Sequence, residues 1–127
     1  MPSTTRYRRG DIVLVSFPFT DLSSSKRRPA LVISPDTFND HGQDLVLAAI
    51  TSEHPADLFA ALVERDFVDG TLPQESFVKI AKIFTLHSAL IIKRLCALQP
   101  EKLDEVLRKL RAFFANEPKH SVWDEHE

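Results

Sequence analysis

Three apolar runs decide the fold: Asp11-Ile-Val-Leu-Val-Ser-Phe17, Ala30-Leu-Val-Ile-Ser34 and Asp44-Leu-Val-Leu-Ala-Ala-Ile-Thr51. Each run is short, rich in β-branched or other apolar residues, and bounded by glycine, proline or polar residues, which is typical of a strand. The third run is almost continuously apolar, so it predicts a strand that is buried on both faces. The first half of the chain is therefore predicted to form a small sheet.

Polar segments separate these runs. Residues 18–28 contain three consecutive serines and end in Lys26-Arg27-Arg28, which predicts a loop. Pro29 follows the loop and is predicted to restart the chain at the edge of a strand. Residues 35–43 are rich in Asp, Asn and Gly, a composition that favours a turn.

The second half of the chain predicts three further strands and one helix. Residues 58–64 and 90–98 are predicted as short strands, and residues 76–86, rich in Val, Ile and Phe, as a longer one. The alanines and leucines of residues 58–64 also allow a helical turn there. Pro100 suits the first position of a helix, after which apolar residues recur at a spacing of three or four. These residues are Leu103, Val106, Leu107, Leu110, Phe113 and Phe114. Five or six strands, no strand–helix–strand alternation and a closing helix predict a mainly β fold, a small barrel with a C-terminal α-helix.

Length and composition predict one domain, at residues 1–115 of the 127, followed by a polar tail at residues 116–127. Hydrophobic residues make up 43% of the chain and charged residues 27%, which is usual for a soluble globular protein. No apolar run approaches the ~20 residues that span a bilayer, and no apolar secretory signal opens the sequence. A single cysteine, Cys96, excludes an intramolecular disulfide framework and indicates a reducing cytoplasm.

The net charge of −2 hides an uneven distribution of charge. Residues 1–30 hold six basic and two acidic residues, whereas residues 31–77 hold one basic and nine acidic residues. Residues 76–98 hold four basic residues and no acidic residue. Basic segments that folding brings together can bind a polyanion, so we expect residues 1–30 and 76–98 to converge around a groove.

Motifs for metal or nucleotide chemistry are missing from the sequence. The five histidines are scattered without a pair at ligand spacing, and one cysteine cannot supply a thiolate cluster, so no metal site is predicted. The three glycines match no phosphate-binding loop, and no G-x-S-x-G turn is present. We therefore expect neither a metal nor a cofactor.

Three stretches together resemble the MazF/PemK family of toxin ribonucleases: Gly10-Asp-Ile-Val-Leu-Val-Ser-Phe17, Arg28-Pro-Ala-Leu-Val-Ile-Ser34 and Val46-Leu-Ala-Ala-Ile-Thr-Ser52. Their order and spacing match the family, and the Arg-Pro strand is the most specific element. A later strand, Ser76-Phe-Val-Lys-Ile80, and the final helix also fit. The resemblance covers residues 7 to about 114.

The resemblance implies an SH3-like barrel of the MazF/PemK/CcdB type with short helices and a C-terminal α-helix. It implies a homodimer that cleaves single-stranded RNA without a metal, by attack of the 2′-hydroxyl of the RNA. It also implies a cognate antitoxin that neutralises the toxin, and operator DNA bound together with that antitoxin. The family's active-site arginine and threonine correspond to Arg28 and Thr51.

The chemistry of the two side chains agrees with this role. The guanidinium of Arg28 matches two phosphate oxygens and keeps its charge at any working pH, so it is assigned to stabilising the transition state. The hydroxyl of Thr51 can donate to a phosphate oxygen or orient the 2′-hydroxyl. Without the resemblance, a solvated loop charge is the favoured reading of Arg28, and Thr51 is equally a strand-end residue bonded to the backbone.

Further residues are predicted to contact RNA through charge, hydrogen bonding or stacking. They are Phe19, Lys26, Arg27, Ser52, His54, Lys79 and Lys82. Strand alternation places the last two lysines on opposite faces, so only one faces the substrate unless a bulge intervenes. His54 is a candidate base because its ordinary pKa lies near neutrality, although an exposed loop histidine is the simpler reading.

The sequence departs from the family at one site. Many members carry an acidic residue and an arginine on the fifth strand, where Ala81 and Phe84 stand here. Two other readings therefore stay open: a barrel that binds nucleic acid or protein without catalysis, and a toxin with a protein target, like CcdB. For a dimer interface, the sequence offers surplus apolar residues, among them Ile83, Phe84, Leu90 and Ile91.

Overall fold

A computed structural model describes residues 6–17 and 26–115, which contain seven strands and two α-helices. The strands are β1 (Asp11–Phe17), β2 (Lys26–Val32), β3 (Asp44–Thr51), β4 (Phe59–Leu62), β5 (Phe67–Val68), β6 (Ser76–His87) and β7 (Ile91–Leu98). The helices are α1 (Asp36–His41) and α2 (Pro100–Ala115), and short 3-10 turns span Glu64–Asp66 and Ser88–Leu90.

The seven strands form one antiparallel sheet in the order β4-β6-β3-β2-β1-β7-β5. Consecutive strands β1, β2 and β3 are neighbours, and the long strand β6 pairs with both β3 and β4. The sheet is curled into a half-barrel and α2 follows it, so the predicted mainly β fold with a C-terminal helix is confirmed.

Alternate side chains of the central strands pack into two apolar clusters, one on each face of the sheet. On β1, Ile12 belongs to the first cluster and Val13 to the second, and each is 0% exposed. Val106 and Leu110 of α2 are buried in the first cluster, so the helix covers that face. The third predicted strand is buried on both faces because Leu47 and Ala48 occupy different clusters.

Three sequence predictions for the first half need correction. Residues 26–28 are not loop but the start of β2, because they pair with β1 as far as Lys26 opposite Phe17. Pro29 lies inside that strand and is tolerated there because pairing with β3 begins only at Ala30. The predicted turn at residues 35–43 contains α1, whose Asp36 accepts hydrogen bonds from the backbone N–H of Arg9.

Other corrections concern short or terminal elements. β5, with only two residues, was not predicted, and the fourth strand is shorter than the predicted 58–64. On α2, Phe113 is 40% exposed and Phe114 66%, so these two residues do not extend the buried face. Of the apolar residues expected to be surplus, Ile91 is buried, Ile83 and Phe84 are partly buried against the clusters, and Leu90 alone is exposed.

The long strand β6 contains a large bulge. Between the pairs Ala48–Ile83 and Ile50–Val78, β3 advances by two residues while β6 advances by five. The extra residues bend β6, so that Val78 and Ile80 join the first cluster whereas Leu86 joins the second. One strand thereby contributes to both cores.

Candidate active site

The sheet forks where β2 and β3 separate. These strands pair only from Val32–Leu47 to Ala30–Ala49. Beyond that point β2 continues along β1, and β3 continues along β6 as far as Thr51 opposite Phe77. A cavity of about 680 Å³ opens at the fork, and we call it the fork cavity.

The fork cavity has an apolar floor and a cationic rim. Leu14, Ile50, Leu72 and Leu95 supply the apolar residues. Lys26, Arg27, Arg28 and Lys93 supply four positive charges, and Thr51, Ser52, Gln74 and Ser76 supply neutral polar groups. None of the lining residues in the described parts of the chain is Asp, Glu or His. The described lining residues therefore make the cavity positive, which suits an anion.

Arg28 and Thr51 stand opposite each other at the fork. Continuing the β2–β3 register by two residues past Ala30–Ala49 brings Arg28 level with Thr51, and alternation puts both on the same face. Arg28 is exposed, and no ion pair among the described residues involves it. Arg27 lies on the other face of β2, so the adjacent arginines approach the cavity from different sides.

Thr51 is held by a local hydrogen bond. Its Oγ1 accepts from the backbone N–H of Glu53 at 3.1 Å, which matches the backbone-bonded reading of this residue. A hydroxyl that accepts still has its own proton to donate. The bond therefore orients the hydroxyl without using its donor.

The structure separates the remaining predicted RNA-binding residues into two groups. Lys26, Arg27 and Ser52 line the fork cavity together with Arg28 and Thr51. His54, Lys79 and Lys82 do not line it, and Phe19 lies outside the described residues. From the two basic segments, residues 1–30 and 76–98, Lys26, Arg27, Arg28 and Lys93 line the cavity, whereas Lys79 and Lys82 of the second segment do not.

His54 belongs to an aromatic cluster next to the cavity. Its ring lies 4.7 Å from that of Phe59 and 5.1 Å from that of Phe77 between centroids. Its Nδ1 lies 3.0 Å from the carbonyl oxygen of Pro55, and since a carbonyl only accepts, Nδ1 is the donor. This arrangement gives His54 a packing role at the end of β3.

Lys93 is a lining residue that the sequence-based site prediction missed. It pairs with Leu14 of the cavity floor, between two register shifts of the β1–β7 ladder. Its neighbour Arg94 instead bonds Asp11 at 3.0 Å and lies 3.5 Å from Asp69. The hydrogen bond that Arg94 donates to the carboxylate of Asp11 is the main cause that raises the pKa of Arg94. The basic composition of residues 76–98 indicated that this segment contributes to an anion site, but it did not show which of its cations faces the cavity.

The two family positions that are substituted here lie away from the cavity. Ala81 is exposed within the bulge of β6. Phe84 is partly buried against the second cluster, opposite Leu47. Neither lines the fork cavity, so the four rim cations supply all of its charge among the described residues.

The described residues contain no group of three or more His, Cys, Asp or Glu residues placed to hold a metal ion. No helix among them is long and apolar enough to cross a membrane.

The curled sheet, its closing helix and the cationic fork cavity define a small barrel that is suited to bind a polyanion. The chain belongs to the PemK-like, MazF-like toxin family of type II toxin-antitoxin systems, whose profile matches residues 8–114.

Individual relatives agree with this assignment. The chain is 33% identical over 90 residues to Endoribonuclease MazF2 of Mycobacterium bovis, which covers 68% of this chain and 77% of that protein. Endoribonuclease MazF6 of Mycobacterium tuberculosis matches with the same identity and the same coverage.

Solved structures share the fold. An endoribonuclease in complex with its cognate antitoxin, from a mycobacterial species, superposes with a TM-score of 0.68 at 19% identity, covering 91% of this chain and all of that one. MazF from Deinococcus radiodurans superposes with a TM-score of 0.67 at 22% identity, covering 89% of this chain and all of that one.

Proposed function

We propose that the fork cavity is the active site of an endoribonuclease and that the protein is the toxin of a type II toxin-antitoxin pair. The observation that carries this proposal is the cavity rim, where four cations and the Thr51 hydroxyl meet with no carboxylate among the described lining residues. A phosphodiester is the anion that suits such a rim, because guanidinium and ammonium groups bind its oxygens. Single-stranded RNA can present its backbone to an open groove of this kind.

The RNA supplies the attacking 2′-oxygen, and the rim supplies the groups that bind the phosphate and stabilise its charge. The 2′-hydroxyl oxygen of the RNA attacks the adjacent phosphorus and forms a 2′,3′-cyclic phosphate as the bond from phosphorus to the 5′-oxygen breaks. The 2′-hydroxyl gives up its proton to water, and the 5′-oxygen takes a proton from water and leaves as a 5′-hydroxyl. Arg28 binds the nonbridging oxygens, on which negative charge increases in the transition state. Thr51 donates its proton to the same phosphate or aligns the 2′-hydroxyl for attack.

The other rim cations hold the strand on either side of the reacting phosphate. Lys26 and Arg27 lie next to Arg28 on β2, and Lys93 lies across the floor on β7. Each contact with a phosphate releases counterions, so the affinity for RNA falls as salt rises. Charge of this kind binds any backbone and leaves the choice of sequence to contacts with the bases.

The antitoxin is a second ligand of the same rim. Its neutralising segment is acidic and folds onto the toxin as it binds, which excludes RNA by competition. Charge reversal of Lys26 and Arg27 weakens RNA and antitoxin together. The toxin acts in the cytoplasm as a homodimer, since two copies of the rim present more positive surface than one small groove.

The test is cleavage of a long single-stranded RNA by the purified protein in the presence of a metal chelator. We expect the wild-type protein to produce fragments that carry 5′-hydroxyl ends. We expect these fragments to be absent with the Arg28→Ala variant. RNA binding without fragments would support a non-catalytic barrel instead. Inhibition of gyrase in place of RNA cleavage would support a protein target.

A further inference from the structure

A second groove lies beside the C-terminal end of α2, and it shares no lining residue with the fork cavity. Its volume is about 540 Å³. Ile33, Leu107, Leu110 and Phe114 form an apolar wall, and Arg9 and Arg111 flank it. We call it the α2 groove. Its composition suits a large apolar side chain that carries carboxylates beside it.

The two arginines of the α2 groove have unused hydrogen-bond donors. Arg9 donates from Nε to the carbonyl of Ile33 at 2.8 Å, which orients the guanidinium and leaves its terminal nitrogens available. No carboxylate of the described residues pairs with Arg9 or Arg111 through the side chain. By contrast, Arg108 and Lys109 of the same helix pair with Asp104 and Glu105.

The α2 groove also leaves aromatic surface uncovered. Phe114 is 66% exposed, and its ring contacts that of Phe113 at 5.1 Å between centroids. Two adjacent exposed phenylalanines at the end of a helix leave apolar area in water, and burying that area against an occupant is favourable. An occupant that covers Phe114 and meets the two arginines would satisfy both features.

We propose that this occupant is the chain's own C-terminal segment, with Trp123 in the groove. Residues 122–127 read Val-Trp-Asp-Glu-His-Glu, so the only tryptophan of the chain is followed by three acidic residues. The tryptophan matches the apolar wall, and the carboxylates match Arg9 and Arg111. The charges are complementary, because among residues 116–127 only Lys119 is basic.

The chain leaves the helix in the right place for this docking. Ala115, the last residue of α2, itself lines the groove, and Trp123 follows eight residues later. Eight residues reach at most about 27 Å. A segment tethered so close is present at an effective concentration of the order of millimolar, so even a weak contact is populated within one molecule.

Trp123 reports on its own docking, because it is the only tryptophan in the chain. In the full-length protein, we expect its emission maximum to lie at a shorter wavelength than that of a peptide of residues 116–127. Acrylamide, a neutral quencher, should quench the Trp123 emission of the protein several-fold less than it quenches that of the peptide. Emission and quenching equal to those of the peptide would overturn the proposal without any variant.

Variants locate the docking site. Arg111→Glu and Phe114→Ser should each shift the emission toward that of the peptide, whereas the matched control Arg108→Glu, one turn away and outside the groove, should not. Far-UV circular dichroism shows whether each variant is folded. A buried tryptophan that neither groove variant releases would place the segment elsewhere. Emission that changes with protein concentration would show docking between copies and would overturn docking within one chain.

Discussion

Arg28 of β2 and Thr51 of β3 occupy equivalent register positions on opposite arms of the fork, two residues beyond the last pair, Ala30–Ala49. The backbones of these two residues no longer pair, so both side chains can contact one ligand between them. The rigid ladders β1–β2 and β3–β6 hold the arms apart from either side. Under the proposed function, this geometry lets two residues 23 positions apart in sequence act on one phosphate.

Arg28→Ala should lower kcat/KM for RNA cleavage by ~10²–10³, as loss of one preorganised charge stabiliser does elsewhere. Arg28→Lys should recover little, because an ammonium cannot bind two oxygens side by side. The neighbouring variant Arg27→Ala is the matched control, and it should mainly raise KM because Arg27 lies on the other face of β2. Equal losses in kcat for Arg28→Ala and Arg27→Ala would contradict the assignment of transition-state stabilisation to Arg28 and of binding to Arg27.

Thr51→Val should slow cleavage by roughly 10- to 100-fold, because a hydrogen bond to a charged group is worth about 1.5–3 kcal/mol. Thr51→Ser keeps both the donor and the bond from Glu53, so its rate should stay near that of the wild type. Single-turnover cleavage rates at saturating protein measure the difference. A slow serine variant would show that the methyl group, rather than the hydroxyl, matters.

Lys93→Gln should weaken RNA binding and make its dependence on salt shallower. Removing one phosphate contact reduces the slope of log K against log salt by about 0.7 for a single strand. Lys79→Gln and Lys82→Gln remove the same charge outside the cavity, so they should leave the slope unchanged. If Lys79→Gln or Lys82→Gln made the slope shallower and Lys93→Gln did not, the RNA would contact the bulge of β6 rather than β7.

Cys96 should react slowly with thiol reagents in the folded protein. It is 0% exposed, and burial raises the pKa of its thiol, with Asp11 adding to the rise and Arg94 opposing it. Above about pH 8.5 the unfolded thiol loses its proton while the native thiol keeps it, so this group lowers the free energy of unfolding as pH rises. Urea unfolding near pH 7 and near pH 9.5 tests the sign, and Cys96→Ala should remove this part of the pH dependence.

Gly70→Ala should destabilise the fold by about 1–3 kcal/mol. Gly70 has a φ of +134°, and an added Cβ would lie 2.8 Å from the carbonyl oxygen of Leu95, a residue of the cavity floor. Gly42→Ala is the control, since nothing lies within 4 Å of its added Cβ and its φ is ordinary. Similar urea midpoints for the two variants would refute the argument.

Sequence patterns predicted the elements with strong periodicity. The runs that became β1 and β3 have the predicted bounds, and the long strand and the final helix differ from prediction only at their ends. Elements that depend on neighbours were missed. β5 has two residues and exists through pairing with β7, and residues 26–28 are extended because β1 pairs with them, although their own composition favours a loop.

The residues of the candidate site also divide into those that local sequence predicted and those that depend on neighbouring strands. Arg28 and Thr51 were selected through a resemblance carried by their local motifs, and Lys26, Arg27 and Ser52 are their neighbours in sequence. Lys79 and Lys82 were chosen for charge alone, and the bulge of β6 takes them away from the cavity. Lys93 reaches the cavity because of the β1–β7 register shifts, which no pattern in its own strand indicates.

The sequence by itself determined the longer strands, the C-terminal helix and the family, because the alternation of apolar residues and the Arg-Pro motif are local properties of the chain. Tertiary structure decided where the charges converge. The fork between β2 and β3, the pairing of Arg94 with Asp11 and the position of Lys93 all depend on the register of strands distant in sequence. Register depends on the packing of both faces of the curled sheet at once, so the cationic cavity exists only in the folded chain.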